Sequence, residues 1–392
     1  MYDFDQIIER RGTGCEKYDF ALENGKPEGL LPLWVADMDF CVPQEVMDSL
    51  HSVVEHGIFG YTEAKGSYYK AAAGWLEKHF GWRPMQEWLV RTPGVVFAIA
   101  AAIRAFTSEG ESVLIQQPVY YPFAGMVRKN KRNLVVSPLV YTEGRYQMDF
   151  EDFEQKIIRN QVKLFVLCSP HNPVGRVWSR EELKRVGDIC LRHHVLVVSD
   201  EIHCDFTYPG YTHTIFASLG KDFADNSIIC TAPSKTFNLA GLQASNIWIA
   251  DANIRRAFAD EVEKCGYFSL NLMAIAACEA AYRYGEQWLN ELKTYLKENL
   301  DFVREYLRTQ LPQIHLVEPE GTYLVWLNCK GLGLTSEELD QFIVEKAGLW
   351  LDGGTMFGSG GEQFQRLNIA CPRSVLKQAF DQLKSAVGNL RP

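Results

Sequence analysis

The chain has no run of 18 or more apolar residues, so no segment reads as a membrane-spanning helix. It has no basic cluster, and its formal net charge of −9 argues against nucleic acid and anionic membranes as partners. Its start, MYDFDQIIERRGTGC, is acidic and polar together, unlike the basic end and apolar core of a signal peptide. The expected location is the cytoplasm. None of the 10 cysteines forms a CxxC pair, which gives no support for a zinc site; no metal is expected, and the thiols read as reduced and mostly buried. Internal repeats, low-complexity tracts and long Pro/Gly/Ser linkers are also missing. At 392 residues the chain suits one large and one smaller domain.

Short apolar segments alternate with helix-like stretches through the middle of the chain. Candidate strands are 112–116 (SVLIQ), 134–136 (LVV), 163–168 (KLFVLC), 195–199 (VLVVS) and 227–231 (SIICT). Each is apolar and rich in β-branched residues, as strands covered on both faces should be. Ser179 and Glu182 have the spacing of a capping box, and Leu183, Val186 and Cys190 follow at helical intervals. Strand, helix and strand in succession imply a right-handed crossover and a mostly parallel sheet. Beyond Gly285 the pattern changes: a long helix over 287–311, a strand at 323–328, a helix at 336–346, a strand at 366–370 and a helix after Pro372. The expected fold is α/β. A large domain over 42–285 holds a mostly parallel seven-stranded-type sheet covered by helices. A smaller α+β domain is built from 1–41 and 286–392.

Ligands of open parallel sheets bind at the carboxyl ends of the strands. Those ends carry Asp200-Glu201-Ile202-His203, Ser169-Pro170-His171-Asn172, Ala232-Pro233-Ser234-Lys235 and Gln117-Pro118-Val119-Tyr120-Tyr121. Each has an ordinary explanation. An aspartate after a strand caps a turn, HNPVG is a turn by composition, and paired tyrosines are commonly core. Lys235 could cap a strand end, but an unpaired ammonium in an apolar setting is costly. Together, the groups on one edge complement a ligand with a cationic ring nitrogen, a phenolate oxygen, an aldehyde and a phosphate, and pyridoxal 5'-phosphate fits that description. Asp200 would pair with the ring nitrogen, Asn172 donate to the ring oxygen, Tyr120 stack on the ring and Lys235 take the aldehyde as a Schiff base. Thr92-Pro93-Gly94-Val95-Val96 offers main-chain N–H groups at a helix start for the phosphate.

The segments WVADMDF (34–40), FGYT (59–62), TPGVVFAI (92–99), PVYYPF (118–123), SPHNPVGRVW (169–178), SDEIHCDF (199–206), TAPSKTFNLAGL (231–242) and FQRLNIACP (364–372) resemble the fold-type I pyridoxal-phosphate enzymes. More narrowly they resemble the cystathionine β-lyase or cysteine C–S lyase branch, the cystalysin-like proteins. The resemblance spans nearly the whole chain and implies an aspartate-aminotransferase-like fold. It implies Lys235 as Schiff-base lysine, with Asp200, Asn172, Tyr120 and His203 about the ring. It implies Tyr121 in substrate binding or proton transfer, and Arg366 on the substrate α-carboxylate. Phosphate contacts are expected from Val95, Val96, Ser234, Thr231 and Tyr61. Tyr61 would come from the neighbouring subunit of a homodimer with shared sites. Aminotransferases usually carry an arginine eight residues after the lysine; here that residue is Gln243. The implied reaction is β-elimination from S-substituted L-cysteines such as cystathionine. The alternatives are aminotransfer, or a lyase with an added regulatory role in binding another protein.

Overall fold

A computed structural model describes residues 2–390. The central sheet has seven strands: β1 (Leu89–Thr92), β2 (Ser112–Gln117), β3 (Asn133–Pro138), β4 (Leu164–Cys168), β5 (Leu196–Asp200), β6 (Ser227–Thr231) and β7 (Ser245–Trp248). Their order is β1-β7-β6-β5-β4-β2-β3. The pairs from β6 through β3 are parallel, whereas β7 runs antiparallel to both β1 and β6. Alternate residues of each inner strand enter opposite cores. Leu164, Val166, Val198, Ile228 and Cys230 join one cluster, while Phe165, Leu167, Val197 and Ile229 join the other. Burial on both faces is why these strands read as continuous apolar runs rather than as alternating ones.

Helix α1 (Val95–Phe106) follows β1 and packs with the first of these clusters. Helix α2 (Arg180–Arg192) begins on the capping box: Ser179 Oγ accepts from the Glu182 N–H, and Glu182 accepts from the Ser179 N–H. Its Leu183, Val186 and Cys190 are buried on the opposite sheet face.

A second, four-stranded sheet has the order β8-β9-β11-β10, from β8 (His315–Val317), β9 (Leu324–Asn328), β10 (Asp352–Gly353) and β11 (Phe364–Asn368). Every pairing within it is antiparallel. Three helices accompany it: α3 (Glu286–Gln310), α4 (Ser336–Glu345) and α5 (Arg373–Gly388). The apolar stripe of α3, including Leu292, Leu296, Leu300 and Val303, packs in the same cluster as Leu324, Phe342 and Phe380. Leu31–Pro32 pairs in parallel with Leu349–Trp350. Trp34 stacks on Trp350 at 4.4 Å between ring centroids, and Asn368 Nδ2 donates to the carbonyls of Val35 and Asp37. The N-terminal segment is thereby tied to the C-terminal sheet.

The sequence pattern does not mark 89–92 at the edge, or the antiparallel strand 245–248, as strands. They are short, and Gly94 and the turn at Gln243 border them. No described helix is long and apolar enough to cross a membrane, and no described cluster of His, Cys, Asp or Glu could hold a metal ion.

Candidate active site

The parallel register lines up Cys168, Asp200 and Cys230 across β4, β5 and β6, so the loops that follow these strands meet at one edge. A second constraint locks two loops together: the Tyr120 N–H donates to the Asn172 carbonyl at 3.0 Å. At this edge lies a cavity of about 190 Å³. Its lining includes Lys235, Asp200, Asn172, Tyr120, His203, Ser234, Val95 and Val96. Eight expected residues are thus brought together. Pro93, Gly94, Cys168, Ile202, Gln243 and the Ala36 main chain complete much of the wall.

Lys235 lies in a short helical turn, Pro233–Thr236, directly after β6. Its Nζ donates to the Ala36 carbonyl at 2.6 Å. No carboxylate lies within ion-pair distance of it among the described residues. Burial therefore lowers its pKa from 10.5 to about 8. Asp200 sits in the opposite predicament. Burial raises its carboxyl to about 7, although the Ile202 N–H donates to Oδ1 at 3.1 Å. His203 is neutral, because burial first, then the nearby cations Lys235 and Arg366, depress its pKa. Its ring packs edge-on against Tyr323.

The segment 34–40 forms a strap over Lys235. Tyr323 Oη also donates to the Ala36 carbonyl, at 3.0 Å. Asn238 grips the strap from the other side: its Nδ2 donates to the carbonyls of Met38 and Phe40, and its Oδ1 accepts from the Met38 N–H. Ala36, Tyr323 and Asn238 carry no signature of this in sequence, since the key atoms of the strap belong to the main chain. Only the proximity of Asn238 to Lys235 along the chain could have hinted at its part.

Arg366, on β11, is buried beside this cavity rather than in its wall. Its Nη1 donates to Asn172 Oδ1 at 3.3 Å, and its Nη2 donates to the Trp34 carbonyl and to Asp352. Tyr121 is partly exposed beside Tyr120, and burial raises its pKa, so it keeps its proton. Tyr61 is fully exposed on this chain. It lines a neighbouring hollow that shares Pro93 and Gln243 with the Lys235 cavity. One expectation is corrected. Thr231 does not reach the cavity: its buried hydroxyl donates to the Asn246 carbonyl and accepts from Trp248 Nε1. A threonine at the end of β6 is used here to bind β7.

The cavity fits pyridoxal phosphate on three physical counts. A buried carboxylate lacks a full counter-charge, which a protonated ring nitrogen would supply. A buried amine has its pKa lowered to about 8, which makes a neutral, nucleophilic form accessible for the aldehyde. The α1 N-terminus, uncapped by any side chain, opens its free N–H groups at Gly94, Val95 and Val96 where a phosphate would lie.

The model of class I and II aminotransferases matches residues 35–383. The chain belongs to that family. Among individual members, the cystathionine beta-lyase PatB of Bacillus subtilis (strain 168) is 45% identical over 385 residues, which is 98% of this chain and 100% of that protein. Protein MalY of Escherichia coli (strain K12) is 30% identical, with both chains covered in full (100%). Among solved structures of the family, cystalysin from Treponema denticola, which contains a pyridoxal 5'-phosphate cofactor, superposes with a TM-score of 0.96. It is 35% identical and covers 100% of both chains. The pyridoxal-phosphate-bound C–S lyase from Staphylococcus hominis gives a TM-score of 0.93 at 34% identity, over 99% of this chain and 98% of that one.

Proposed function

We propose that this protein is a pyridoxal-phosphate-dependent carbon–sulfur β-lyase. It cleaves cystathionine or another S-substituted L-cysteine, with water, to a thiol, pyruvate and ammonia. The observation that carries this reading is the pairing, in one cavity, of the Lys235 amine, lowered in pKa by burial, with the under-compensated carboxylate of Asp200. The likeness to PatB, over nearly the full length of both chains, selects the lyase branch.

The cofactor, when bound, supplies an electron sink for the charge left at Cα. Asp200 supports that role by holding a proton on the ring nitrogen. Lys235 takes the Cα proton; a pKa near 8 lets it accept a proton at neutral pH and return it. Arg366 and Asn172 hold the α-carboxylate, and Tyr120 confines the ring plane. Lys235 or Tyr121 delivers a proton to the departing sulfur, and Tyr121 has one to give because burial keeps it protonated. Main-chain N–H groups at Val95 and Val96, with Ser234, bind the phosphate.

Two copies pair in this reading, each sending Tyr61 toward the other's phosphate. The exposed Phe59 and Tyr61 and the shared border at Gln243 support it. The two-domain division is 42–285 against 1–41 with 286–392, supported by the separate sheets and by the pairing of Leu31–Pro32 with Leu349–Trp350. The working location is the cytoplasm. The test is pyruvate release from L-cystathionine by the loaded protein with no 2-oxo acid present. Sustained release over many turnovers supports a lyase. Release that needs an added 2-oxo acid assigns the protein to aminotransfer instead.

A further inference from the structure

Arg366 is not a free cation awaiting a ligand. Strand β10 places Asp352 directly across β11 from Arg366, so the two side chains form a cross-strand pair. Both residues are 2% exposed. Arg366 Nη2 donates to Asp352 Oδ2 and, at 2.6 Å, to the Trp34 carbonyl. Both Nη2 hydrogens are therefore used. The guanidinium carbon lies 5.0 Å from the centroid of the Phe357 ring, which fixes its plane. Nη1 makes one long bond, 3.3 Å, to Asn172 Oδ1, and the buried Nε–H has no partner. A guanidinium has five N–H donors. Three are committed, two on Nη2 and one on Nη1; the second Nη1 N–H and the Nε–H remain, and Nη1 is the end next to Asn172, which lines the cavity.

We propose that Asp352 is a positioning residue for the carboxylate anchor: it clamps the Nη2 end of Arg366 and so turns the Nη1 end toward an incoming α-carboxylate. The proposal rests on the reading of Arg366 as that anchor. Asp352 touches no substrate; it acts through Arg366. It also compensates the anchor's charge, as the one carboxylate within 4.0 Å of Arg366 among the described residues. A small anion lacking the amino-acid shape then gains little by entering, while a ligand that also engages Lys235 and Asn172 gains more. The sequence hides this pair, since 352 and 366 are separated by the glycine-rich stretch GGTMFGSGG.

The experiment uses the cofactor-loaded enzyme and steady-state release of pyruvate from L-cystathionine. Asp352→Ala is expected to raise KM at least 10-fold and to leave kcat within about 3-fold, as loss of binding alone does. Asp352→Asn keeps an acceptor for Nη2 and is expected to bring KM back to within about 3-fold of the parent. In an Arg366→Ala background the Asp352→Ala change is expected to add nothing further, because its effect runs through Arg366. If Asp352→Ala does not fold, Asp352→Ser takes its place in both backgrounds, since serine is too short to reach Nη2. An unchanged KM in Asp352→Ala, with a raised KM in Arg366→Ala, overturns the role of Asp352 and keeps the anchor. An unchanged KM in Arg366→Ala removes the anchor, and with it the proposal. Additive effects of the two changes also overturn it.

Discussion

Asp200 should make the cofactor-free protein less stable as pH rises, and Asp200→Asn should remove that dependence. The carboxyl is raised by burial from 3.8 to about 7 in the folded chain. Between those values the folded protein holds a proton that the unfolded chain has released. Stability therefore falls as pH climbs through this window and levels off above about 7. One pKa unit corresponds to about 1.4 kcal/mol, so the whole penalty is about 4 kcal/mol, of which about 2.5 kcal/mol develops between pH 5 and pH 8. With an unfolding entropy of about 2 cal/mol/K per residue, that is a change of about 3 °C in Tm for a chain of this size. Asparagine is nearly isosteric and cannot ionise, so its own burial cost is the same at every pH. The assay is a thermal melt of cofactor-stripped protein from pH 5 to pH 8, read as the difference between Asp200→Asn and the parent. The difference should move by about 3 °C in favour of the variant as pH rises. A difference that stays flat refutes the claim that Asp200 is a buried carboxylate without sufficient counter-charge.

Lys235 gives a second pH signature. Its amine is lowered to about 8 and attacks an aldehyde only when neutral, so reloading of stripped protein with pyridoxal phosphate should speed up with pH and level off above about 8. At pH 7 the neutral fraction is about 300 times that of an ordinary lysine, and stopped-flow absorbance reads the rate. Asn238→Ala should lower stability by about 2 kcal/mol, because it removes the grip on the strap and places alanine at a positive φ of 58°. A Tm within 0.5 °C of the parent would contradict that role. Tyr61→Phe should weaken cofactor retention by about 10-fold on equilibrium dialysis while the assembly size on gel filtration stays unchanged, as loss of one phosphate hydrogen bond implies.

The inner strands were legible because both of their faces are buried, which writes an apolar run into the sequence. The apolar run SIICT coincides with the strand 227–231, and those of 164–168 and 196–200 match within one residue. The cavity wall was legible for the same reason: polar residues at the ends of apolar strands stand out. Thr231 misleads because a strand-end hydroxyl reads alike whether it faces a ligand or a neighbouring strand, and β7, which takes it, is inconspicuous in the sequence. The strap at 34–40 acts through the carbonyl of Ala36, which no side chain advertises. Asp352 leaves no sequence signal because it meets Arg366 only through the register of two short strands.

In the proposed reaction Lys235 moves the Cα proton. The most direct test is solvent exchange at Cα of L-alanine, which has no leaving group, in D2O, comparing loaded parent enzyme with Lys235→Ala. The parent should take up deuterium at Cα, and the variant should do so at least 100-fold more slowly, the scale expected for loss of a general base. Exchange by Lys235→Ala at the parent's rate would rule Lys235 out as the proton carrier.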